Sequence, residues 1–115
     1  MVEPIHVQAL LCPSVTAGKY LATTTYQGIN THGDSLEEAR RAALFVIGAH
    51  LGPYAALEQT PPRPSRQLKS IDEVTTYFAG FLPAGTRVVQ DETITQKSMG
   101  RLPQWVVEFY RVESR

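Results

Sequence analysis

Between residues 5 and 12 the chain alternates two sets of side chains. Ile5, Val7, Ala9 and Leu11 fall on one side of an extended strand, and His6, Gln8, Leu10 and Cys12 on the other. Pro13 stops the run, and PSVTAG at 13–18 has the composition of a turn. Residues 19–26, KYLATTTY, are rich in β-branched and aromatic types and predict a second strand. The short connection makes an antiparallel hairpin the natural arrangement. Gly28 allows a sharp turn into a short third strand at 29–32.

The period then changes from two to that of a helix. Ser35 is a good N-cap and Glu38, three positions later, completes a capping box. Asp34 and Glu37 add negative charge where the free amides of a helix start favour it. Leu36, Ala39, Ala43, Val46, Ile47 and His50 follow as the inward stripe. Glu37 and Arg41 form an i,i+4 pair in the favourable order. Gly52 and Pro53 are expected to end the helix. Gly48 interrupts the stripe at a cost of about 1 kcal/mol against alanine.

Residues 58–69, EQTPPRPSRQLK, break the composition. Three prolines in four residues cannot continue a helix or a central strand and predict an extended connector. A second helix is predicted over 70–79, with Ser70 and Glu73 repeating the capping box, Ile71, Val74 and Phe78 or Tyr77 as its apolar face, and Gly80 ending it. LPAGT at 82–86 is a turn. Residues 86–95 are β-favouring except at Gln90, Asp91 and Glu92, which break the pattern, and 96–102 form a loop. In the last strand, 104–112, Trp105, Val107 and Phe109 share one face and Val106, Glu108 and Tyr110 the other. The order is β-β-(β)-α-linker-α-β-β. It predicts one α+β domain over 1–115: a small antiparallel sheet with the helices packed on one face.

Charge removes several functions from consideration. Eleven basic residues balance eleven acidic ones. Nonspecific nucleic-acid binding draws on a basic excess, which this chain lacks. Arg63, Arg66 and Lys69 lie close together, either as a phosphate-binding patch or as solubilising charges on the connector. Cys12 is the only cysteine and cannot form an intrachain disulfide. The start has an acid where a signal peptide carries a base, and no apolar run reaches membrane-spanning length. No membrane and a cytoplasmic location are the expectations.

The segment Gly18-Lys-Tyr-Leu-Ala22, Gly28-Ile-Asn-Thr31-His-Gly33-Asp34-Ser35-Leu36-Glu37-Glu38-Ala39 resembles the HicB-like family of antitoxins. Members run from a Tyr-x-Ala strand through a glycine turn and a short strand into Gly-Asp-Ser/Thr-Leu-Glu-Glu-Ala and a helix. A Pro-rich stretch often follows, and Pro61-Pro62-Arg63-Pro64-Ser65 is similar to it. The resemblance covers about residues 5–65, with the family-like unit over 5–57, the connector at 58–69 and a helix-plus-hairpin extension at 70–112. It implies a partial RNase H-like fold that acts as a lid over a small ribonuclease toxin. The family's DNA-binding C-terminal module has no counterpart here. The helix at 70 opens with Asp72 and Glu73, which would repel a phosphate backbone, so no specific DNA binding is expected.

Candidate chemistry is sparse. RNase H-like nucleases gather several carboxylates around two divalent metals. Here Asp34, Glu37, Glu38, Asp72 and Glu73 sit at helix starts, and only Asp91, Glu92 and Glu108 on strands. His6, His32 and His50 show no metal-ligand spacing. Cys12 could meet His32 or His50 in space, but nothing in the sequence orients them. The glycines form no phosphate-binding loop. The expectation is a protein without enzymatic activity, cofactor or metal, which binds a protein partner and forms a homodimer through the 86–112 hairpin edge or the Tyr110 face. Arg63, Arg66 and Tyr110 are the candidate partner-binding residues. The alternatives are a structural or ligand-binding dimeric domain and a divergent metal-dependent nuclease.

Overall fold

The computed structural model describes residues 4–96 and 104–115; the loop expected at 96–102 lies almost wholly outside them. Five strands form one sheet in the order β3-β2-β1-β5-β4. They are β1 (Ile5–Pro13), β2 (Tyr20–Thr24), β3 (Asn30–Gly33), β4 (Thr86–Gln96) and β5 (Trp105–Ser114). Two helices, α1 (Leu36–Ala56) and α2 (Ile71–Tyr77), complete the α+β fold, with a short 3-10 turn at Ala79–Phe81.

The two hairpins are antiparallel, as expected. They join through the centre of the sheet, where β1 runs parallel to β5 with Ile5 opposite Trp105, Val7 opposite Val107 and Ala9 opposite Phe109. These six side chains share one face with Leu11 and form the main core with Ala39, Ala43, Ile47 and Leu51 of α1. The opposite face is also covered. Leu10, Cys12, Val88 and Tyr110 pack there against Leu68 and against Val74 and Phe78 at α2. The helices therefore lie on opposite faces of the sheet, which corrects the expected one-sided arrangement. The physical reason is that the alternate set of β1 is itself half apolar, so a second face needed covering.

Local chemistry sets the elements. The Ser35 side chain accepts from Glu38 N at 3.1 Å, and Ser70 accepts from Glu73 N at 3.1 Å. Each glutamate reaches back to an amide outside the helix: Glu38 accepts from Asp34 N at 2.7 Å, and Glu73 from Lys69 N. Gly33 sits so close to the start of α1 that an added Cβ would lie 2.6 Å from Ala39 N. Thr31 donates its hydroxyl to Ala39 O at 3.1 Å in the same corner. Gly33 is thus a steric requirement of the turn from β3 into α1, and Ser35 supplies the cap that follows it.

One boundary and one side chain differ from expectation, and the expected break in β4 takes a definite form. Helix α1 continues through Pro53 to Ala56. Pro53 has no N–H to offer Ala49 O, and both residues lie on the exposed side of the helix. Tyr54 and Ala55 then pack on the main core and hold the last turn. Val46 is 37% exposed, not part of the buried stripe. Successive helical residues stand about 100° apart, so burying Ile47 turns Val46 toward the rim. In β4 the break at Gln90–Glu92 is a register irregularity between Gln90 and Thr93, a bulge that lets Val88 face α2 and Ile94 face α1.

Candidate functional site

The Pro-rich connector is strapped down. Pro61 is buried, and Tyr26 donates its hydroxyl to Pro62 O at 2.7 Å. Gln8, fully buried on β1, donates to Leu68 O and accepts from Leu68 N, both at 2.7 Å. Its side chain therefore satisfies both polar backbone groups of Leu68 as that residue enters the second core.

The three candidate partner-binding residues separate. Tyr110 is 6% exposed; α2 covers it, and its hydroxyl donates to Glu108 at 2.9 Å. It is a core residue, which corrects its reading as a surface contact. Arg63 donates to Pro4 O at 2.9 Å. Arg66 lines a different place, a depression of about 230 Å³ shared with Asp72, Glu73, Thr76 and Tyr77. Two carboxylates beside Arg66 make that depression a poor phosphate site.

The candidate chemical groups are similarly dispersed. Cys12 is buried in the second core, and burial pushes its thiol up to about 11. Cys12 pairs with Leu21, and Leu21 with His32, so the cysteine and that histidine stand two strands apart, about 10 Å. His50 is on the other side of the sheet, where its ring meets Tyr26 at 5.0 Å and Tyr54 at 6.0 Å. His6 Nδ1 lies 3.9 Å from Glu108.

The strand carboxylates are held by arginines. Arg40 projects from α1 across the sheet end, stacks 5.7 Å above the Phe109 ring and pairs with Asp91, while its Nε lies 3.7 Å from Glu92. Burial works against its charge, but Asp91, Glu37 and Glu92 outweigh that and raise its pKa. Arg111 approaches Asp91 at 3.7 Å from β5. β1, the strand at the centre, carries no carboxylate. Among the described residues, no three of His, Cys, Asp and Glu are placed to share a metal ion. The residues present do not fit the two-metal centre that an RNase H-like nuclease would need.

A surface that the periodicity did not single out stands on α1. Phe45, Ala49, Pro53 and Leu57 form one i,i+4 row, and all four are exposed. Phe45 is 77% exposed and Leu57 66%. Beside the C-terminal half of this row lies an open depression of about 510 Å³, lined by Ala49, His50, Pro53, Tyr54, Leu57 and Gln59. The signal was present in the sequence: from Ala42 to Leu57 there is no Asp, Glu, Lys or Arg. A helix apolar on all sides belongs in an interior, yet this one has a sheet on one side only. Among the described residues no helix is long and apolar enough to cross a membrane. No family model, curated protein or solved structure matches this chain.

Proposed function

We propose that this chain is a non-catalytic, HicB-like protein-binding domain that works by contact, with inhibition of a small ribonuclease toxin as its first candidate activity. The observation that carries the binding half is the uncharged outer face of α1, because exposed contiguous apolar surface marks an interaction site. Support for the family half comes from the topology. Strands β1, β2 and β3 lead into α1, and after α2 and β4 the chain returns as β5, parallel to β1; the sheet order β3-β2-β1-β5-β4 thus resembles a partial RNase H-like plan with α2 and β4 intervening before the parallel strand. Support for a non-catalytic role comes from Arg40 and Arg111, which neutralise the β4 carboxylate Asp91. The acidic first turn of α2 speaks against DNA as the partner, and the protein acts away from a membrane in the cytoplasm.

The test is co-expression with any small basic protein encoded beside this chain. The expected result is growth arrest by that protein alone, relief when both are made, and a stable complex of the purified pair. Arrest without relief, and no complex at micromolar concentration, would overturn the inhibitor role. The second reading, a structural domain that functions as a dimer, is favoured by one feature: the α1 face carries both a projecting ring and a depression.

A further inference from the structure

We infer that the occupant of the outer α1 face is a second copy of this chain, packed antiparallel across it with the two-fold axis at Ala49. The inference rests on reading α1 as a binding face and names what it binds.

A two-fold contact uses the same patch on both subunits, so the patch must be complementary to itself. Phe45 is the projection: an aromatic ring 77% exposed on a rigid helix. The depression lined by Ala49, His50, Pro53, Tyr54 and Leu57 is the receiving surface, and its middle lies near residue 53. Projection and depression are thus about eight residues, or about 12 Å, apart along the axis. Rotation about their midpoint places each Phe45 on the other copy's depression at the same time. That midpoint is Ala49, whose methyl group lets two helices approach closely. The row Phe45-Ala49-Pro53-Leu57 supplies the i±4 ridge that packs into the groove of a like helix.

Charge selects the same arrangement. Near a two-fold axis a charged side chain would meet itself, and Ala42–Leu57 contains none. At its two ends stand the exposed Arg41, which already lies 3.7 Å from Glu37, and the exposed Glu58, which has contacts of its own within the chain. Antiparallel packing about Ala49 brings Arg41 of one copy to the level of Glu58 of the other, at both ends. Parallel packing would set like charges against each other.

The other routes to self-association are less suited. The β4 edge carries a bulge and an Arg87–Glu113 ion pair, features that discourage strand addition. The Tyr110 face is already covered by α2. A lipid surface would call for basic residues along the rim, whereas Glu37 and Glu38 accompany Arg40 and Arg41 here.

One helix face is smaller than the roughly 800 Å² per partner of a standard interface, so sedimentation should be followed from about 5 to about 500 µM. The full chain should pass from monomer to dimer over this range. Phe45→Asp should weaken association at least thirtyfold, and Val15→Asp, at a still more exposed apolar position in the first hairpin turn, should leave it unchanged. Ala49→Glu and Ala49→Lys should each weaken it at least tenfold alone, and a one-to-one mixture of the two should restore it. A wild-type chain that stays monomeric, or a Phe45→Asp chain that still dimerises, overturns the inference. A mixture no better than its components overturns the axis at Ala49. A monomeric wild type leaves the protein-binding reading standing. That reading is judged separately, by whether Phe45→Asp loses the growth relief that the wild type gives.

Discussion

The two faces of the sheet are built from one strand by different means. On the first, Ile5, Val7, Ala9 and Leu11 meet a 21-residue helix that follows β3 directly in the chain. On the second, Leu10 and Cys12 meet a helix of seven residues, brought there by a connector sixty residues from its anchor on Gln8. Burial of apolar area holds the first face. The second is smaller, and the strap that closes it is held by a polar clamp, the two hydrogen bonds between Gln8 and Leu68. A glutamine at an alternate strand position marks a solvent-facing side in most sheets; here it makes two buried hydrogen bonds that fix the strap.

The largest effect expected within this comparison is at the α1 side. Ile47→Asp puts an unpaired charge in the main core and should abolish folding, whereas Val46→Asp, at the rim, should cost under about 1 kcal/mol. Circular dichroism of the two proteins checks this, and equal loss in both would mean that the helix is rotated from its assigned face. Gln8→Ala tests the other side. It leaves the Leu68 N–H and C=O buried without partners and should cost about 2–6 kcal/mol, from two groups at about 1–3 kcal/mol each. Hydrogen exchange should show the loss concentrated in 68–88 with α1 still protected. Uniform loss would join the two faces into one cooperative unit.

The two serine caps sharpen the contrast at smaller scale. Ser35→Ala and Ser70→Ala each remove one cap bond, worth about 0.5–2 kcal/mol. The first should lower global stability in urea, and the second should loosen α2 with less effect on the main core. The smallest effect concerns Cys12. Burial raises its pKa, so the folded chain holds the thiol proton more tightly than the unfolded chain. Its contribution to stability is present at neutral pH and is lost as pH rises from about 9 toward about 11. Iodoacetamide at pH 8 should leave the folded thiol unmodified and label it after unfolding; rapid labelling of the folded chain would contradict its burial.

Much of this fold is legible in local sequence. Both capping boxes, the alternation in β1 and β5 and the break at Gln90–Glu92 depend on residues within a few positions of one another. The parallel pairing of β1 with β5 joins segments about a hundred residues apart, and no local pattern specifies it. The burial of Tyr110 is non-local in the same way: its face becomes interior only when α2 arrives from another part of the chain. Pro53 inside α1 shows packing by Tyr54 overriding a local stop signal. The candidate binding face was legible as a run without charge from Ala42 to Leu57, although helical periodicity alone divides that run into an inside and an outside by habit.

The account stands on Phe45 being a contact residue and not a core residue. Thermal unfolding of the wild type and of Phe45→Asp, each at about 5 and about 500 µM, decides this in one measurement, because association raises the apparent stability of a native state with the logarithm of concentration. The wild-type Tm should rise with concentration, while that of Phe45→Asp should match the dilute wild type at both. A Tm for Phe45→Asp lower by many degrees at both concentrations, with no concentration dependence in the wild type, would contradict the account.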